Sequence, residues 1–161
     1  IDQTRQMVRQ GRLEARHAIW DLRQPADDAA PLTSALRQTL AQAELAGDAQ
    51  VRLEVDGSEP PLPELVAAAV RRVAQEATTN ALAHGRARQV LVTLHFGPGK
   101  ELRLTVTDDG HGFPEPGDAP AAPTSTGAGL GLVGMRERAA QAGATLSVTS
   151  TPGSGARVEL A

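Results

Sequence analysis

Two segments with period-two alternation, QVLVTLHF (89–96) and KELRLTVTD (100–108), are separated only by Gly97, Pro98 and Gly99. Strand side chains point to opposite faces in turn, and a short Gly/Pro linker between two such runs is a hairpin signal. In the second run Leu102, Leu104 and Val106 share one face, while Arg103, Thr105 and Thr107 share the other. An antiparallel pair with one apolar face needs more strands and a covering layer before it is stable, so this hairpin commits the chain to a sheet packed under something else. Continuing the count puts Asp108 on the apolar side, just before the glycines of DDGHG (108–112). A carboxylate on a core-facing side must find donors or water. At a strand end it is placed to accept a hydrogen bond from the amino group of a flat base. The Asp-Gly dipeptide read alone is equally a tight-turn signal.

The covering layer is legible as helices. PLTSALRQTLAQAELAG (31–47) is followed by a short strand, VRLEVDG (51–57), a Pro-rich loop, and a long helix from Pro63 to His84 with Gly85 as its stop. After the hairpin, residues 114–129 have no periodicity and much Pro, Gly, Ser and Thr, which reads as a long loop of the kind that often forms lids. LGLVGMRERAAQAG is a further helix, and ATLSVTS and ARVEL are two strands around the turn TPGSG. The order of elements predicts an α+β fold: a two-layer sandwich of a mixed, mainly antiparallel sheet with helices on one face. Ahead of it, residues 1–24 read as one long helix ended by Pro25, with Ile1, Thr4, Val8, Gly11, Ala15, Ala18 and Leu22 forming a heptad-like seam. That seam fits a surface helix of the same domain as well as a strand of an intermolecular bundle.

Composition removes several classes. A net charge of −3 gives no electrostatic case for nucleic acid as a direct partner, and two Phe, one Trp and no Tyr leave no stacking platform for single strands. With no cysteine there is neither a disulfide framework nor a thiolate zinc site. The longest apolar run, Leu65 to Val70, is far too short to span a membrane, so no membrane contact is expected of this piece. The chain opens on Ile1 in mid-helix pattern, as a piece of a longer protein would.

Candidate chemistry sits in two further places. On the long helix the polar residues Arg72, Glu76, Asn80 and His84 recur every four positions and stack on one face. A Glu and an Asn one turn apart can both reach a small hard cation such as Mg²⁺, which takes oxygen ligands and usually keeps waters and phosphates as well; Glu can also orient or deprotonate a nucleophile. The same line would mark a solvated face. GAGLGLVGMRER (127–138) carries four glycines in its first eight residues and then becomes helical. Glycine-rich segments opening a helix present backbone N–H groups to anions. This one is not a P-loop, because the G-x-x-x-x-G-K-[ST] pattern is missing and Lys100 is the only lysine.

Taken together, QEATTN with the following His84, DDGHGF and GAGLGLVGMRERA are more specific than any one of them. In this order and spacing they resemble the N, G1 and G2 boxes of the GHKL (Bergerat) ATPase superfamily, and within it the ATP-binding domain of bacterial sensor histidine kinases. GLVGMRERA and ARHAIWDLRQ (15–24) are similar to the branch that partners NarL-type response regulators. The resemblance implies a catalytic domain over residues 31–161 with an ATP lid at about 114–131, a linker at 25–30, and residues 1–24 as the second helix of the dimerisation and phosphoacceptor bundle. It implies ATP and Mg²⁺ as cofactors. Asn80 would ligate the metal, Glu76 would assist the metal or the incoming histidine, and His84 would complete the nucleotide contacts on that helix. Asp108 would bind the adenine amino group, with Gly110 and Gly112 letting the chain turn around the base. Gly127, Gly129, Leu130 and Gly131 would form the lid hinge and its phosphate-contacting amides. It further implies a dimer in the full-length protein, a response-regulator partner and a cytoplasmic location, and it is compatible with an inner-membrane anchor in the longer protein.

Three departures bear on activity. The family phosphorylates a histidine followed by an acidic residue on the first bundle helix, and none of His17, His84, His95 and His111 has that context. The residue before His84, usually basic in the family, is Ala83, with Arg86 and Arg88 the nearby basic residues. No phenylalanine-bearing box separates the glycine segments. Two other readings stand beside the kinase: a nucleotide-binding or dimerising module without useful transfer, and another GHKL ATPase or serine kinase.

Overall fold

The computed structural model describes residues 30–45, 48–113 and 128–161, with the backbone alone for 128–130. The expected helix over 1–24, nearly all of the linker, and the loop over 114–127 lie outside the described residues. Eight elements follow in order: α1 (Leu32–Leu45), β1 (Gln50–Asp56), α2 (Glu64–Ala83), β2 (Gln89–Phe96), β3 (Leu102–Asp108), α3 (Ala128–Gln141), β4 (Leu146–Ser150) and β5 (Ala156–Leu160). The strands form one sheet in the order β1-β2-β3-β5-β4. β1 and β2 run parallel, joined across α2, and every other pair is antiparallel. This is the mixed α+β sandwich that the sequence implied.

The hairpin holds the register its alternation demands. Val92 lies opposite Val106, Leu94 opposite Leu104, and Phe96 opposite Leu102. All six face the helical layer, together with Val158 and Leu160 from β5. The turn between the strands is a short 3₁₀ segment, Pro98–Lys100, in which Gly99 has φ +69°. The other face of the sheet is polar and is laced by Arg157–Glu159 at 2.8 Å and His95–Asp56 at 2.8 Å; pairs this exposed contribute little to stability.

The helices bury narrow apolar stripes. In α1, Leu32, Leu36 and Leu40 recur every four residues and are all but inaccessible. Both oxygens of the Glu59 carboxylate, from the Pro-rich loop, accept the first amides of α1: Leu32 N–H at 2.6 Å and Thr33 N–H at 2.9 Å. Burial opposes the Glu59 charge, but the bonds from Thr33 and Leu32 outweigh it and hold its pKa below the ordinary glutamate value. In α2 the inward stripe is Ala69, Val70, Val73, Ala74, Ala77 and Ala81. Its alanines let the helix lie close to the sheet. α3 adds Met135 and Ala139 to the same core.

Two boundaries differ from the sequence reading. α3 begins at Ala128 rather than Leu130, so Gly129 and Gly131, expected in a hinge, lie in its first turn. At the end of α2 the left-handed residue is Arg86, with φ +52°, and not Gly85. The helix closes with the His84 and Gly85 amides donating to the Asn80 carbonyl and the Ala87 amide donating back to the Ala81 carbonyl. A chain that returns six residues needs a left-handed residue at the penultimate position, and that position is held by an arginine.

Candidate functional site

The polar line on α2 lands where the sheet and α3 converge. Glu76 and Asn80 are half-buried, and the Asn80 amide donates to Glu76 Oε1 at 3.4 Å. The first turn of α3 sits directly on this pair. A Cβ at Gly131 would overlap Glu76 Oε1 and lie 3.5 Å from Asn80 Nδ2, so a side chain there would displace the Glu76 carboxylate. His84 caps the C-terminus of α2 and is exposed. Among the described residues no three His, Asp or Glu gather as a metal cluster. A cation on Glu76 and Asn80 would therefore draw its other ligands from water and phosphate, as Mg²⁺ ordinarily does.

Asp108 ends β3 on the helix-facing side, opposite Val90, as the strand parity required. Its Oδ1 accepts the Gly110 amide at 2.8 Å. Burial raises its pKa above the ordinary aspartate value; amide donors from Gly110 and Ala156 work the other way, and the neighbouring Asp109 charge adds to the rise. Gly110 is enclosed: a Cβ there would lie 2.5 Å from the Gly85 carbonyl oxygen and 2.8 Å from Asp108 Oδ1. Gly112 follows with φ +61°.

Several residues that the sequence reading passed over hold this loop in place. Asp109 turns away from Asp108 and accepts both the Arg88 and Gln89 amides on Oδ1, each at 2.8 Å. The His111 amide donates to the Gly85 carbonyl at 2.8 Å, and the His111 carbonyl accepts the Gly153 amide at 2.6 Å. Ser150 Oγ accepts the Phe113 amide at 2.8 Å and donates to the Gly155 carbonyl at 3.0 Å. Neither Asp109 nor Ser150 had a sequence signal for these roles, because the Arg88 and Gln89 partners of Asp109 and the Phe113 partner of Ser150 lie 20 or more residues away.

The structure thus brings Glu76, Asn80 and Gly131 together at one place, with Gly129 in the same turn of α3, and Asp108, Gly110 and Gly112 at the far end of the α2–β2 connection. Gly127 lies outside the described residues, and for Leu130 only the backbone position in α3 is described. One end offers a carboxylate recessed for a base, and the other offers oxygen ligands beneath a helix start that can present amides to an anion.

A family model described as "Histidine kinase-, DNA gyrase B-, and HSP90-like ATPase" matches residues 65–161. The chain is 33% identical over 131 residues to sensor histidine kinase YxjM of Bacillus subtilis (strain 168), covering 79% of this chain and 29% of that protein. It is 36% identical over 138 residues to the methanol utilization control sensor protein MoxY of Paracoccus denitrificans, covering 81% and 29%. Among solved structures it resembles the histidine kinase domain of the Erythrobacter litoralis EL346 blue-light activated histidine kinase, with a TM-score of 0.59, 31% identity, and 81% of this chain and 63% of that one covered. The chain therefore spans 29% of the length of each of the two curated relatives.

Proposed function

The chain belongs to the histidine kinase-, DNA gyrase B- and HSP90-like ATPase family, and from that premise we propose that it is the catalytic part of a two-component sensor kinase, passing the γ-phosphoryl group of ATP to a histidine outside these residues. The observation that carries the reading is the seating of Gly131 on Glu76 and Asn80, which puts a helix start against a hydrogen-bonded Glu–Asn pair on α2.

Each residue then has a task. The Asp108 carboxylate accepts the adenine amino group, and Gly110 and Gly112 leave room for the ring. Asn80, with Glu76 beside it, holds Mg²⁺, which neutralises phosphate charge when bound. Gly127, Gly129, Leu130 and Gly131 supply amides to the phosphates, with His84 at the end of α2 completing the nucleotide contacts. In the transfer, a ring nitrogen of the acceptor histidine bonds to the γ-phosphorus as the bond to the bridging oxygen breaks and ADP leaves with the electron pair. Glu76 orients the ring and takes its proton. Most of this catalysis is positioning and charge neutralisation, which suits a site with so few titratable groups.

The remaining parts of the reading concern the longer protein. Residues 1–24 form the second helix of the dimerisation bundle, residues 25–30 the linker, and residues 114–131 the ATP lid. The phosphoryl group is relayed to a NarL-type response regulator, and the domain works in the cytoplasm. No helix among the described residues is long and apolar enough to cross a membrane. Ala83, lying where relatives of this type usually carry a basic residue, favours a second reading: a module that binds nucleotide without useful transfer.

Calorimetry with a non-hydrolysable ATP analogue, with and without Mg²⁺, tests the assignment. The parent should bind, Asp108→Asn should abolish binding, and Asn80→Ala should lose chiefly the Mg²⁺-dependent part. Absence of binding at millimolar nucleotide would sink the reading. Transfer to a separately supplied acceptor helix separates the kinase from the binding module.

A further inference from the structure

Asp109 is mostly exposed, yet its carboxylate makes two short bonds to backbone, to the Arg88 and Gln89 amides at 2.8 Å each. Residues 85–88 are the connection between the C-terminus of α2 and the start of β2. That connection is tied to the segment 108–111 at two more points, by the Asp109 amide to the Gln89 carbonyl at 3.3 Å and the His111 amide to the Gly85 carbonyl at 2.8 Å. The helix ending in this connection carries Glu76 and Asn80; the segment tied to it begins with Asp108. The bonds of Asp109 therefore tie the segment that begins with Asp108 to the connection that leaves α2, alongside the His111–Gly85 bond.

We propose that Asp109 is a positioning residue for nucleotide recognition: by clamping the Arg88 and Gln89 amides it fixes the placement of the Asp108 carboxylate relative to α2, and so sets how strictly the site selects a 6-amino over a 6-oxo purine. This rests on the ATP-binding reading above. The geometry gives each variant a different expectation. Asparagine keeps an oxygen at the same reach and can still accept both amides. Glutamate keeps the charge but carries it one methylene too far. Alanine removes the clamp. A carboxylate bound by amides gains from charge assistance, and the two amides also hold the Asp109 pKa below its ordinary value. The amides left behind at an exposed site are taken up by water, so the variants keep the fold.

The experiment measures dissociation constants of ATP and GTP analogues for the parent and for Asp109→Asn, Asp109→Glu and Asp109→Ala, well below each variant's melting temperature. Adenine offers a donor where guanine offers an acceptor, so the ATP:GTP ratio reports the placement of Asp108. The expected result is a loss of about tenfold in ATP affinity, on the order of 1.4 kcal/mol, and a reduced ATP:GTP ratio for Ala and Glu, with Asn close to the parent in both. A residue that only stabilised the fold would lower the melting temperature and leave the ratio alone. The clamp is overturned if Ala keeps the parent's ratio, or if Asn loses as much as Ala, which would make the charge rather than the geometry responsible. A parent that binds neither nucleotide, or binds both equally, would instead refute the ATP assignment itself.

Discussion

Gly131→Ala should separate stability from function, because its two effects act on different things. Gly131 lies inside α3, where exchanging Gly for Ala stabilises a helix by about 0.5–1 kcal/mol. The added methyl overlaps Glu76 Oε1, the tip of a flexible side chain, while Asn80 Nδ2 at 3.5 Å stays in ordinary contact. Glu76 can yield by changing rotamer, at a cost of about 0.5–1.5 kcal/mol, and it gives up a bond to Asn80 that is already long at 3.4 Å. The two terms nearly cancel, so the melting temperature should move by no more than about 4 °C for a chain of this size. Function has no such compensation. With Glu76 displaced, the Mg²⁺-dependent part of ATP-analogue affinity should fall about tenfold, equivalent to roughly 1.4 kcal/mol, and transfer to a supplied acceptor should fall at least as far. Calorimetry with and without Mg²⁺, beside a thermal melt, reads both quantities. Gly134→Ala is the control: it also lies within α3, but a methyl there meets only the flexible Arg138 guanidinium at 2.9 Å, so it should raise stability and leave binding alone. If Gly131→Ala binds Mg-ATP like the parent, then either the first turn of α3 does not sit on Glu76 or Glu76 does not serve the nucleotide.

Other expectations follow from single observations. The Thr78 hydroxyl is buried with no hydrogen-bond partner, so Thr78→Val, nearly the same shape, should raise the denaturant midpoint by about 1–2 kcal/mol of stability; a loss would mean that the hydroxyl has a partner in solution. Arg86 occupies a left-handed conformation at φ +52°, so Arg86→Gly should stabilise by about 1 kcal/mol; an unchanged midpoint would show that the arginine side chain offsets its strain. The raised pKa of Asp108 fixes two opposite pH trends. The folded protein holds this proton more tightly than the unfolded chain, so stability from this group is present below its unfolded pKa and is lost as pH rises through the folded value. Adenine binding needs the carboxylate, so affinity should fall as pH drops through the same raised value, and an acid limb indistinguishable from that of an ordinary aspartate would refute the burial argument.

The sheet was legible because period two is a strong local signal. Strands 89–96 and 156–160 have the limits their alternation indicates, and counting from Leu102 is enough to turn Asp108 inward. The α2 line was legible as one face, but its meaning was not. Whether Glu76 and Asn80 meet solvent or a partner depends on where α3 docks, and that is a contact between residues more than fifty positions apart. Gly85 shows a local rule redirected: a glycine after a helix usually turns left, yet here its lack of a side chain lets it lie against the Ala81 carbonyl oxygen, which a Cβ would approach to 2.7 Å, and the left turn passes to Arg86. Ser150 was illegible for a non-local reason: nothing near it announces Phe113, 37 residues away, as a partner.

The two ends of the site are built with different stiffness, and the difference suits their tasks. Around Asp108 the restraints are mostly short bonds involving backbone: Gly110 to Asp108 at 2.8 Å, two amides to Asp109 at 2.8 Å each, and His111 to Gly85 at 2.8 Å. Backbone groups cannot swing away by changing rotamer, so the carboxylate is held where a base must fit it, and a site whose polar groups would be left unpaired by the wrong base discriminates sharply. At the other end the linkage between Glu76 and Asn80 is one side-chain bond of 3.4 Å, which either residue can leave at little cost. That looseness would spoil recognition, but the phosphoryl transfer proposed above would require the ligands to follow a phosphate that changes charge and position during the step. On that proposal selectivity belongs to the end fixed by the sheet, and adjustment to the end carried on helix side chains. A substitution that stiffens Glu76 should alter turnover before it alters which nucleotide binds.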